Sequence, residues 1–231
     1  MSDMVDNRLN NQIIENEEKA RNQYYFENTN SLIPLFEKEI RDCGIKFETV
    51  SKIASFVHKY NNSLIPIAVK YYNLSKNRQS DNEQNYFLSF FCIKGLDSLV
   101  PMLLNDFTQP TTTNLTRWFI SDCLYHIRSM HYMDDYLKNV SDNKYGKNRQ
   151  MIILLLGLLK DDRAIPILLN LLDDEDVTLH TIMALGNYKK EVFRCIFEKY
   201  AKSDNCVLRQ NAIKAIKKLE KNKATVQGVK W

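Results

Sequence analysis

The sequence predicts an all-α chain, an α-solenoid of about six stacked helix pairs. Two observations predict it. The first is a recurring phrase: Leu32-Ile33-Pro34-Leu35, Leu64-Ile65-Pro66-Ile67, Leu99-Val100-Pro101-Met102 and Ala164-Ile165-Pro166-Ile167. Its prolines lie 32, 35 and 65 residues apart, so a unit of roughly 33 residues repeats. The second is alignment without gaps further along the chain. Ile120, Ile152, Ile182 and Ala212 form one apolar column, and Cys123, Leu155, Leu185 and Ala215 form another. Such columns are the stacked core that no single repeat buries alone.

In chain order, residues 1–30 are expected to form an N-terminal helical cap. Leu9, Ile13, Ile14, Ala20 and Tyr24 make a weak apolar stripe there among polar neighbours. Six helix pairs should follow over 31–60, 62–95, 96–129, 131–160, 161–189 and 190–221. The first helix of the fifth pair is the clearest: Asp161 or Asp162 can cap it, Pro166 falls in its first turn, and Leu168, Leu169, Leu171 and Leu172 follow. Proline costs little in a first turn, where amide donors lack intrahelical acceptors, and roughly 3 kcal/mol deeper in a helix. The repeated proline is therefore expected to mark helix starts. The linking turns are short and polar, as in Asp173-Asp174-Glu175-Asp176 and Ser203-Asp204-Asn205. Periodicity fades from residue 222, and 222–231 should be a flexible tail.

The charge is unevenly placed. Residues 187–231 carry twelve Lys and Arg against four Asp and Glu, on a body that is mildly acidic. This suggests an anionic partner at the basic end, or a solvated terminal repeat. Five cysteines, odd in number and scattered mostly over apolar helical positions, read as reduced, buried thiols of a cytoplasmic protein. No apolar run approaches the roughly 18 residues of a spanning helix, so a soluble protein without a membrane partner is expected. Residues 1–30 lack the pattern of a secretory signal. Abundant Asn and Lys suit an AT-rich bacterial genome.

These residues resemble the HEAT-repeat family in its bacterial PBS-lyase-type variety. The best match runs Asp161-Asp162-Arg163-Ala164-Ile165-Pro166-Ile167-Leu168-Leu169, then Leu171-Leu172-Asp173-Asp174, Asp176-Val177 and Ala184-Leu185-Gly186. The resemblance implies a right-handed superhelix with first helices on the convex side and second helices on the concave side. It also implies a ladder in which a turn aspartate meets a second-helix arginine. Arg117, Arg149 and Arg209 stand at the arginine position, with Asp142 and Asp204 as partners for the last two. Leu179 interrupts the ladder in the fifth pair.

Trp118, Gln150, His180 and Gln210 share one column of the second helices. Three of the four are polar, so the column should face solvent. Asp122 and Tyr125 lie one and two turns beyond Trp118, on the same helical face. Lys214, Lys217, Lys218 and Lys221 make a basic stripe on the last helix. The strip Trp118, Asp122, Tyr125, Gln150, His180, Gln210, Lys214 and Lys217 is the candidate partner-binding surface, since exposed aromatic and charged groups together suit protein recognition.

Other chemistry finds less support. Trp118 and Asp122 share a four-residue spacing with the HEAT-like alkylpurine DNA glycosylases, where an aspartate stabilises the positive charge of a departing base; the further aromatic and arginine clamp of that family has no counterpart here. Cys123, His126 and His131 make an incomplete metal set, because Cys123 belongs to the core column. The acidic turn at 173–176 lacks the glycine and terminal glutamate of a calcium loop. His180 has no nucleophile beside it, and six glycines form no phosphate loop. The expectation is a non-enzymatic adaptor that uses no cofactor or metal and binds a protein. The alternative is a DNA-binding or glycosylase-type repair protein.

Overall fold

The computed structural model describes residues 31–45 and 53–228; the expected cap at 1–30 lies outside them. All regular structure among the described residues is helical, with eleven α-helices and no strand. No helix among them is long and apolar enough to cross a membrane. The chain divides into two compact units, Met1–Phe90 and Phe91–Trp231. The boundary falls inside the second expected helix pair.

The first unit is built on aromatic packing. Helix α1 (Ile33–Asp42) carries Pro34 in its first turn, as expected. Phe36 on α1 is fully buried and meets Tyr71, Phe87 and Phe90 edge-on at centroid distances of 5.6, 5.3 and 5.0 Å. Such pairs contribute about 0.5–1.5 kcal/mol each beyond area burial. Helix α2 (Ile53–Asn77) supplies Tyr71, and α3 (Asp81–Leu88) supplies Phe87. Ser80 caps α3 by accepting from the Glu83 amide at 3.4 Å. Glu83 then reaches out of its own helix, accepting from the Leu32 amide at 2.6 Å and from Ser31 Oγ at 2.9 Å. One carboxylate thus satisfies orphan donors at the start of α1.

Pro66 departs from the expectation that each repeated proline opens a helix. It lies inside α2, six residues after the backbone leaves helical geometry at Tyr60 (φ −123°, ψ 19°). The break has moved upstream of the ring, so here the phrase marks a helix interior.

The second unit follows the expected pairs closely. They are α4 and α5 (Val100–Thr108, Asn114–Ile127), α6 and α7 (Met133–Ser141, Gln150–Leu159), α8 and α9 (Ala164–Asn170, Thr178–Tyr188), and α10 and α11 (Arg194–Tyr200, Cys206–Gly228). Pro101 and Pro166 both fall in first turns. Second helices pack in succession, α5 on α7, α7 on α9 and α9 on α11. Both apolar columns run through these contacts. Ile120, Ile152, Ile182, Ala212, Cys123, Leu155 and Leu185 have no exposed surface and Ala215 almost none. Each large member contributes about 1.5–3 kcal/mol. Helix α11 continues to Gly228, past the residue-222 boundary at which a flexible tail was expected.

The three arginines of the expected ladder bond chiefly to backbone carbonyls. Arg117 Nε donates to Phe107 O at 2.8 Å and Nη2 to Gln109 O at 2.9 Å. Arg149, 1% exposed, donates from Nη1 to Val140 O at 3.2 Å and from Nε to Gly146 O at 3.0 Å. Arg209 Nη1 donates to Ser203 O at 2.6 Å. Each guanidinium therefore serves at least one carbonyl at or just past the end of the first helix of its own pair.

The expected aspartate partners are not used. Asp142 turns into its own loop, accepting from the Lys144 amide at 3.2 Å and pairing with Lys144 Nζ at 2.7 Å, because it caps the 3-10 segment Asn143–Arg149. Arg149 pairs instead with Asp174 of the next turn, at 2.6 Å. Arg209 approaches the backbone oxygen of Asp204 at 3.3 Å, not its carboxylate. At the Leu179 position the same role passes to neighbours. Thr178 Oγ1 lies 2.7 Å from Asp174 O, and Tyr200 OH donates to Leu172 O at 2.8 Å.

The cysteines also differ from expectation. All five are free thiols, but Cys43, Cys195 and Cys206 are exposed, Cys92 is half-buried, and only Cys123 is buried. Cys43 and Cys206 stand at helix ends, where fewer neighbours cover a side chain, so helical spacing alone overstated their burial.

Candidate functional site

The predicted strip separates into two cavities and several isolated positions, all on the second unit. The larger cavity, about 590 Å³, lies at the N-terminal ends of α9 and α11 and of α7. Gln150 and His180 line it with Lys147, Glu175 and Asp176. Gln150 Nε2 donates to Asp176 O at 2.8 Å, which ties α7 to the following turn. Burial pushes the His180 imidazolium below the ordinary histidine range, and its Nδ1 has no hydrogen-bond partner.

The second cavity is a groove of about 270 Å³ that crosses four helices. Tyr125 of α5, Leu154 and Leu158 of α7, Met183 and Asn187 of α9, and Lys214 and Lys218 of α11 line it. The groove can exist because the helices approach closely beneath it. Gly186 faces Ala215, and a Cβ added at Gly186 would meet the Ala215 Cβ at 3.0 Å. Lys218 Nζ donates to Asn187 Oδ1 at 2.7 Å. Desolvation, with the nearby charges of Lys189 and Lys160, holds the Lys218 ammonium below its ordinary range.

Lys160 and Lys189 were not anticipated. They cap the C-termini of α7 and α9 in the left-handed conformation, with φ of 56° and 54°, and Arg128 does the same for α5 at 60°. The signal that could have found them is a basic residue immediately after each of α5, α7 and α9, where the helix dipole favours a cation. Leu154, Leu158 and Met183 carried no signal beyond being apolar on a helix.

The remaining strip residues lie apart from both cavities. Trp118 is half-buried and meets Phe119 edge-on at 5.7 Å. Asp122 is half-buried, 3.6 Å from His126 Nε2 and 3.9 Å from Cys92 Sγ. Burial raises its carboxyl above the usual range, and His126 partly offsets this. Cys92 Sγ and Cys123 Sγ lie 3.4 Å apart. Gln210 is exposed, with Nε2 3.2 Å from Cys206 Sγ, and Lys217 is exposed. Neither Trp118 nor Asp122 lines either cavity. Among the described residues no group of three or more His, Cys, Asp or Glu is placed to hold a metal ion.

Comparison of the chain with known protein families, with curated proteins and with solved structures finds no match.

Proposed function

We propose that the chain is a HEAT-like α-solenoid that acts as a non-enzymatic adaptor, receiving a protein partner on the face of its second helices. The ordered packing of α5, α7, α9 and α11 supports the solenoid part of this reading. One observation carries the partner part: a single groove draws its lining from four successive second helices. A floor of leucine and methionine with tyrosine and lysine at the edges has the composition of a recognition patch, apolar at the centre and polar at the rim.

A photo-crosslinking residue at Met183 tests it. The expected result is one protein crosslinked from Met183 in cells and lost in Leu158→Arg, with none from the exposed Val192, which lines neither cavity. Crosslinking that is equal from both positions overturns the adaptor reading.

The nucleic-acid alternative draws on the lysines of α11. Binding to a short duplex, strong at low salt and falling steeply as salt rises, would favour it. Release of alkylated bases, lost in Asp122→Asn, would favour the glycosylase form of it.

A further inference from the structure

The groove also carries information about the chemistry of its occupant, and the argument rests on the adaptor reading above. No carboxylate lines it. Lys214 and Lys218 form part of its wall, and Lys160 and Lys189 stand close enough to act on the charge of Lys218. None of these four lysines makes an ion pair among the described residues, and the neighbouring acids are engaged elsewhere. Asp161 is held by Arg163 at 2.7 Å and Asp162 by Lys190 at 2.6 Å. Like charges gathered without a counter-charge repel, and an anion placed among them relieves that repulsion.

The cap residues add a second observation. Helices commonly end on glycine in the left-handed conformation, because glycine has no Cβ to strain there. Here Lys160 and Lys189 occupy that position at the ends of α7 and α9, so cations close enough to act on Lys218 stand in a backbone geometry that favours another residue.

We propose that the groove receives an acidic segment of a protein partner bearing one bulky apolar side chain. The apolar group enters between Leu154, Leu158 and Met183, and the flanking carboxylates meet Lys160, Lys189, Lys214 and Lys218. The apolar floor argues for peptide over nucleic acid. A phosphate backbone gains nothing from leucine and methionine, and single strands bind on aromatic stacking platforms in basic channels.

The test uses the full chain and a fluorescein-labelled peptide in which one Phe is flanked on both sides by glutamates, read by fluorescence anisotropy. Binding is expected at low salt, roughly tenfold weaker in Lys214→Glu/Lys218→Glu. Lys217→Glu, on the same helix outside the groove lining, is the charge-matched control and should change affinity by less than about twofold. Replacing the peptide Phe by Ala should weaken binding about fivefold or more. Circular dichroism of the exposed lysine variants verifies that they fold. Absence of peptide binding, an equal loss in Lys217→Glu, or tighter binding of a single-stranded oligonucleotide of matched length overturns the proposal. A protein crosslinked from Met183 that Leu158→Arg releases but Lys214→Glu/Lys218→Glu retains would overturn the acidic segment alone and leave the adaptor reading standing.

Discussion

Gly157 on α7 and Ala184 on α9 approach so closely that a Cβ built on the glycine would lie 2.5 Å from the Ala184 Cα. The obstacle is backbone, so no side-chain rotation can clear it. Gly157→Ala should gain up to about 1 kcal/mol of helix propensity. It should lose more by forcing two packed helices apart, for a net destabilisation of about 1–3 kcal/mol. Urea denaturation measures this. A neutral or stabilised variant would mean that α7 and α9 are not in direct register.

Arg149 is the most deeply buried charged side chain of the second unit, and its three hydrogen bonds join α6, its own loop and the Asp174 turn. Arg149→Ala strips partners from two carbonyls and a carboxylate, and should cost about 2–4 kcal/mol. Arg149→Lys keeps the charge without the fork and should recover only part of that loss. The exposed Arg163 pairs offer the contrast: Arg163→Ala should leave the denaturation midpoint unchanged within error.

His180 sets a pH dependence whose sign follows from its environment. Its folded pKa is held below the ordinary value of 6.5 by burial alone. The unfolded chain therefore takes up a proton first as pH falls. Stability is complete above about pH 6.5 and declines as the pH drops through the window beneath it. Asp122 acts in the opposite sense, since its raised carboxyl pKa favours the protonated fold as acid is added. His180→Gln should flatten the loss below about pH 6.5 in thermal melts taken across that window. An unchanged slope would show that the imidazole is as accessible folded as unfolded.

Cys92 and Cys123 should join on mild oxidation. One equivalent of hydrogen peroxide takes a hydrogen from each thiol, forms the S–S bond and leaves two waters. Burial holds the Cys123 thiol well above its ordinary pKa, so attack starts at the half-buried Cys92. In a chain with Cys43, Cys195 and Cys206 changed to Ser, mass spectrometry should find two hydrogens lost and the two peptides linked. Persistent sulfenic acid at Cys92 without linkage would show that the sulfurs do not reach each other.

Much of the second unit was legible because its core repeats. Ile152 and Ile182 occupy equivalent positions and both are buried, and an apolar column needs only identity and spacing to be read. The phrase containing Pro66 was misleading, since identical residues open a helix at Pro34 and lie within one after Tyr60. The family resemblance pairs Asp142 with Arg149, but a side chain at a cap position bonds its own loop first. The candidate strip is divided between separate places in the structure. Tyr125 and Lys214 share a groove, whereas Trp118 lies elsewhere, because a groove belongs to the spacing between helices and no single helix carries that in its sequence.

The fifth pair shows what the joint between first and second helices requires. Where Leu179 stands in place of arginine, a threonine hydroxyl and a phenol from the following pair meet the oxygens of Leu172 and Asp174. The invariant element is the acceptor, and the donor is interchangeable. Within this chain the position therefore changes from arginine to leucine while those oxygens keep a donor. A search keyed to that arginine would miscount the units it was meant to find.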